Sequence, residues 1–125
     1  MTPTILIVED DTITRFMMTE MCDKLGFRCE TVPGGQECID LVDEDPHRFA
    51  MILMDIHMPR VSGLAASQHI RSTRTDPPKN LPIVAVTADE HWHNPHRCKA
   101  AGFNGVIAKP VTLGKLSDTL NSLLI

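Results

Sequence analysis

Along this chain, short unbroken apolar runs take turns with longer stretches in which apolar residues recur every three or four positions. Thr4-Ile5-Leu6-Ile7-Val8, Phe49-Ala50-Met51-Ile52-Leu53-Met54, Ile83-Val84-Ala85-Val86 and Val106-Ile107-Ala108 are continuous and rich in β-branched residues. That pattern predicts strands buried on both faces, as in a parallel sheet. Phe27 to Val32 reads as a weaker strand. The periodic stretches predict helices over about 14–25, 36–44, 64–71 and 113–124, and a short one beginning at Asn94-Pro95, where an N-cap precedes proline at the first helical position. In the first, Phe16, Met17, Met21 and Leu25 are spaced for one buried face, and Gly26 closes it. Ser72 to Pro82 holds three prolines and reads as an exposed loop.

Five strands alternating with five helices predict an α/β fold, a doubly wound five-stranded parallel sheet forming one domain over 1–125. Right-handed crossovers then put helices on both faces. In such sheets ligands bind beyond the carboxyl ends of the strands. The polar groups that terminate the predicted strands are Glu9-Asp10-Asp11, Asp55, Thr87 and Lys109. All therefore belong to one end of the sheet.

Three carboxylates crowded together raise each other's pKa values, and a hard divalent cation removes that strain. Mg²⁺ with one or two direct carboxylates and several waters is the usual solution. Lys109 and Thr87 are not needed for such an ion, but a phosphoryl group with three charged oxygens would use both. Attack of the Asp55 carboxylate on phosphorus, forming an acyl phosphate, employs the whole set. That chemistry rests on positioning and charge neutralisation, so it needs no catalytic histidine.

Composition narrows the classes. Of 125 residues, 42% are apolar, enough for a sizeable core, and the formal net charge of −4 argues against a nucleic-acid face. No apolar run approaches a membrane span, and Met1-Thr2-Pro3-Thr4 lacks the features of a signal peptide, so a cytoplasmic location is expected. Cys22, Cys29, Cys38 and Cys98 include no C-x-x-C pair and read as small apolar fillers.

The runs Ile5-Leu6-Ile7-Val8-Glu9-Asp10-Asp11, Leu53-Met54-Asp55-Ile56-His57-Met58-Pro59, Val86-Thr87-Ala88 and Ala108-Lys109-Pro110-Val111 resemble the four signature stretches of response-regulator receiver domains, in family order and over essentially the whole chain. The resemblance implies a flavodoxin-like (receiver) topology and a phosphoacceptor module of two-component signalling or a phosphorelay. It implies Asp55 as the phosphoacceptor, and Mg²⁺ held by Asp10, Asp55 and the backbone carbonyl of His57, with Glu9 acting through water. Thr87 is implied as the switch hydroxyl, Lys109 as the phosphate-binding lysine and Lys109-Pro110 as a cis peptide. The implied partner is a histidine kinase or histidine phosphotransfer protein, with an output partner left unnamed. Such a domain catalyses its own phosphorylation and dephosphorylation but is no free-standing enzyme. The Arg97-Cys98-x-x-Ala101-Gly102 pattern resembles receivers of hybrid sensor histidine kinases.

This chain departs from the family pattern at Val106, where many receivers carry Tyr or Phe. His57 and Asp89, two positions after Asp55 and Thr87, correspond to variable positions bordering the path of the hydrolysing water. Two further readings compete for the same residues: an aspartate-nucleophile phosphatase, whose motif needs an acid where His57 stands, and a phosphorylation-independent scaffold. A flavodoxin-like electron carrier would need a Ser/Thr/Gly-rich phosphate loop where the acids stand. The run His91-Trp92-His93-Asn94-Pro95-His96-Arg97-Cys98 could hold zinc, but its donors fall on different faces of a helix and loop. An exposed surface, with Trp92 as a docking anchor, fits it better.

Overall fold

The strands and helices follow one another in strict alternation in the computed structural model, which describes residues 3–124. In chain order they are β1 (Thr4–Val8), α1 (Thr12–Lys24), β2 (Arg28–Val32), α2 (Gly35–Glu44), β3 (Met51–Asp55), α3 (Gly63–Arg71), β4 (Ile83–Thr87), α4 (Pro95–Ala100), β5 (Gly105–Ala108) and α5 (Leu113–Leu124), with a single 3-10 turn at Glu90–Trp92. The strands form one parallel sheet in the order β2-β1-β3-β4-β5. This is the doubly wound parallel sheet that the alternation predicts, in the flavodoxin-like topology that the resemblance implies.

Side chains alternate across each strand, so continuous apolar runs supply two cores at once. Leu6, Val8, Ile52, Met54, Ile83 and Ala85 face the core shared with α2, α3 and α4, where Val42, Ala66, Ile70 and Phe103 pack. Ile5, Ile7, Met51, Leu53, Val84 and Val86 face the core under α1 and α5, with Met18, Cys22, Leu116 and Leu120. The central β3 and β4 are buried at every position, whereas the edge strand β2 is exposed or half-buried throughout. The weaker apolar pattern of 27–32 is thus the signature of an edge.

Two sequence expectations need correction. In α1 the buried residues are Met18 and Cys22, flanked by half-buried Met21 and Leu25, while Phe16 is 64% and Met17 49% exposed. The helix carries two apolar stripes, 18/21/22/25 against the sheet and 13/16/17 facing outward, and the expected face mixed one with the other. The segment 72–82 is not wholly exposed. Pro78 and Leu81 are buried, and the Arg71 guanidinium donates to the carbonyls of Lys79 (2.9 Å), Leu81 (2.7 Å) and Gly102 (2.8 Å) and to Asn104 Oδ1 (2.8 Å).

The cysteines behave as fillers. Cys22, Cys38 and Cys98 are buried and Cys29 is half-buried. Burial pushes the Cys22 and Cys38 thiols up to about 12, so neither ionises near neutrality.

Candidate functional site

Strand register brings the terminal polar groups together. Val8 pairs with Met54, Asp55 with Val86 and Thr87 with Ala108, so Glu9, Asp55, Thr87 and Lys109 emerge side by side from four adjacent or near-adjacent strand ends. Glu9, Asp55 and Thr87 are three of the four buried polar residues among those described; the fourth, Ser67, bonds the Ala101 carbonyl elsewhere. A folded chain rarely buries polar groups without using them.

Local structure sets each side chain. Asp11 is the N-cap of α1, accepting the Thr14 N–H at 2.8 Å and the Thr14 hydroxyl at 2.6 Å, which assigns it to the helix entry. Asp10 stays exposed at the mouth. Gly63 packs against the end of β3, and a Cβ there would lie 2.1 Å from the Asp55 carbonyl oxygen. Only glycine permits that approach, and Gly63 N–H closes it by donating to the Ile56 carbonyl at 2.9 Å. The Lys109–Pro110 bond is cis.

Glu9, Asp10 and Asp55 each offer a carboxylate oxygen within 4.8 Å of the others, the one such metal-competent group among the described residues. The histidine and cysteine run after position 90 forms no group of this kind among the described residues. Lys109 Nζ lies 3.0 Å from Glu9 Oε1 and 3.5 Å from Asp55 Oδ2, bridging the two buried acids. One ammonium is not enough for both. Glu9 Oε2 is buried with no hydrogen-bond partner. Burial, reinforced by Asp55, raises the Glu9 carboxyl from its ordinary 4.5 to about 7 despite the lysine. Burial pulls the Lys109 ammonium down, but hydrogen bonding to Glu9 and the Asp55 charge more than offset it, and its pKa is raised.

A partnerless carboxylate oxygen beside two further acids is the donor set of a hard, oxygen-seeking cation, and these residues fit Mg²⁺. Lined by Asp55, His57, Thr87, Ala88, Asp89 and Lys109, a pocket of about 550 Å³ opens above Asp55. At its rim His57 Nε2 lies 2.9 Å from Asp89 Oδ2, joining the loops after β3 and β4. The sequence singled out both residues but not their contact, because 32 positions separate them. A second tie escaped the sequence altogether, His93 Nε2 at 3.2 Å from the Thr87 carbonyl. Trp92, offered as a docking anchor, is half-buried and packs edge-on against Phe103 with ring centroids 6.1 Å apart.

Residues 5–121 match the family described as the response regulator receiver domain. The chain is 31% identical over 116 residues to the sensor histidine kinase RcsC of Salmonella typhi, covering 93% of this chain and 12% of that protein's length. It is 30% identical over 124 residues to the polar-differentiation response regulator DivK of Brucella anthropi, covering 99% of this chain and 98% of that one. Among solved structures, the receiver domain of the sensor histidine kinase PA1611 from Pseudomonas aeruginosa superposes with a TM-score of 0.84 at 28% identity, covering 98% of each chain, and that receiver holds a magnesium ion in its active-site cleft.

Proposed function

Since this chain belongs to the family of response regulator receiver domains, we propose that it takes a phosphoryl group from a phosphohistidine onto Asp55 with Mg²⁺ and thereby changes its affinity for a partner. Receivers pair with histidine kinases or histidine phosphotransfer proteins and act as phosphoacceptors rather than conventional enzymes. The observation that carries the assignment is the convergence at Asp55. A buried carboxylate and a buried threonine line one pocket with a lysine that already serves two acids, beside a carboxylate oxygen with no partner.

An Asp55 oxygen attacks phosphorus as the phosphorus–nitrogen bond of the donor breaks, and that electron pair returns to the imidazole. Lys109 shifts from the acids toward one phosphoryl oxygen, and the Thr87 hydroxyl donates to another. Asp10, Asp55 and the His57 carbonyl would hold Mg²⁺, with Glu9 acting through water, and the ion supplies the remaining neutralisation. Because the acceptor does not regenerate itself as a free nucleophile at once, the domain stores a signal and catalyses only its own phosphorylation and dephosphorylation.

A donor protein has to present its histidine at this mouth. The outward stripe of α1 (Ile13, Phe16, Met17) supports docking there. Met17 also lines an apolar groove of about 360 Å³ with Met18, Met21, Lys109, Pro110 and Val111. The site's rim is therefore apolar on one side and charged on the other.

Incubation with acetyl phosphate and Mg²⁺ should give a single phosphoryl mass gain, stable in acid and labile in base. Asp55→Asn or EDTA should abolish it. Multiple turnover of p-nitrophenyl phosphate would instead support the phosphatase reading, and no gain with any donor the scaffold.

A further inference from the structure

Thr87 is tied twice to the loop that follows it. Its hydroxyl accepts the Asp89 backbone N–H at 3.1 Å. Its carbonyl oxygen receives the Lys109 N–H at 3.0 Å and, six residues along, His93 Nε2 at 3.2 Å. A carbonyl can only accept, so His93 carries its proton on Nε2 for this bond. The contact closes residues 87–93 into a ring whose two ends meet at the same threonine.

The far end of that ring is α4. His93 directly precedes Asn94, whose Oδ1 accepts the N–H groups of His96 at 2.9 Å and Arg97 at 3.3 Å and so starts the helix. The Cys98 thiol donates back to the Trp92 carbonyl at 2.8 Å. Trp92 is wedged on Phe103, and Asp89 Oδ1 holds the His91 N–H at 3.0 Å. The loop thus has little internal slack between Thr87 and the first turn of α4.

The alternative route out of the site is weak. β5 carries Val106, paired with Ala85, and none of the four phenylalanines lies on that strand; the chain has no tyrosine. Nothing bulky there can swing along the sheet. Thr87, by contrast, is 1% exposed, and among the described residues its hydroxyl accepts a bond but donates none. Three charged oxygens on Asp55 would recruit that unused proton. Any displacement of Thr87 must then either drag the His93 ring with it or break the bond.

We propose that His93 is the positioning residue that hands movement of Thr87 to α4 and Trp92, replacing a side-chain relay through β5. The inference rests on Asp55 being the phosphoacceptor. Beryllofluoride with Mg²⁺, an acyl-phosphate mimic, separates the two. Binding is read by ¹⁹F NMR, and the response by fluorescence of Trp92, the single tryptophan, and by amide exchange over 94–100.

In the wild type, loading should change α4 exchange by about threefold or more and shift Trp92 emission. His93→Ala should bind beryllofluoride with an unchanged midpoint yet lose most of both responses. His93→Gln, which keeps an N–H donor of similar reach, should restore them, and His93→Phe, which fills the space without a donor, should not. A full response in His93→Ala, rescue by His93→Phe, or a loaded wild type with a silent α4 overturns the proposal alone. Failure of the wild type to bind beryllofluoride overturns the phosphoacceptor reading and this inference with it.

Discussion

At Glu9, burial and the neighbouring Asp55 pull against Lys109, and they win. The residue is 2% exposed, one carboxylate oxygen lacks a partner, and Lys109 is shared with Asp55. A carboxyl that holds its proton more tightly folded than unfolded stabilises the fold fully below about 4.5, and that contribution is lost as pH rises through about 7. The metal-free protein should therefore lose melting temperature between those values, and Glu9→Gln should flatten that slope. Mg²⁺ favours the ionised carboxylate, so the rise in melting temperature it produces should be larger at pH 8 than at pH 5.5; thermal melts at both pH values check this. At the rim, the His57–Asp89 contact borders the pocket that opens above Asp55. His57→Ala and Asp89→Ala should change the lifetime of the acyl phosphate more than the rate at which acetyl phosphate loads it. Equal lifetimes in the three proteins would remove the rim from the account.

Among the elements, α1 and the β3–α3 junction carry most of the site's geometry. The Asp11 cap fixes where α1 starts, and its inner stripe of Met18, Met21, Cys22 and Leu25 seats it on the sheet. The outer stripe contributes nothing to that core, and it leaves Phe16 exposed beside Met17, which lines the groove next to Lys109. Phe16→Glu should leave acetyl phosphate loading within about twofold, since no site residue moves, while slowing transfer from a phosphohistidine protein by about tenfold or more, as loss of an aromatic anchor at an interface does. Transfer unaffected by the substitution would place docking elsewhere. At the junction, Gly63→Ala puts a Cβ against the Asp55 carbonyl. Forced overpacking of this kind costs roughly 1–3 kcal/mol, and denaturant melts of Gly63→Ala should show it together with slower loading, because the shift falls on Asp55, the proposed acceptor.

For the whole molecule, the alternation of runs and periodic stretches was enough to predict five strands, five helices and the carboxyl-end location of Glu9, Asp10, Asp55, Thr87 and Lys109. The reason is that a strand buried on both faces must be apolar throughout, so its first polar residue marks where the sheet ends. Element boundaries came within a residue or two for the same reason. The face of α1 was not legible, because two apolar stripes on one helix look alike until a sheet selects one of them. Nor were the links His57–Asp89 and His93–Thr87, or the sharing of Lys109 between two acids. Those depend on distances between segments far apart in the chain, set by strand order and register rather than by local preference. The sequence by itself determined which chemistry could be assembled and at which end of the sheet. Only the tertiary structure decided that one ammonium must serve two buried carboxylates, leaving an oxygen for a cation, and which loop is tied to the threonine beside them.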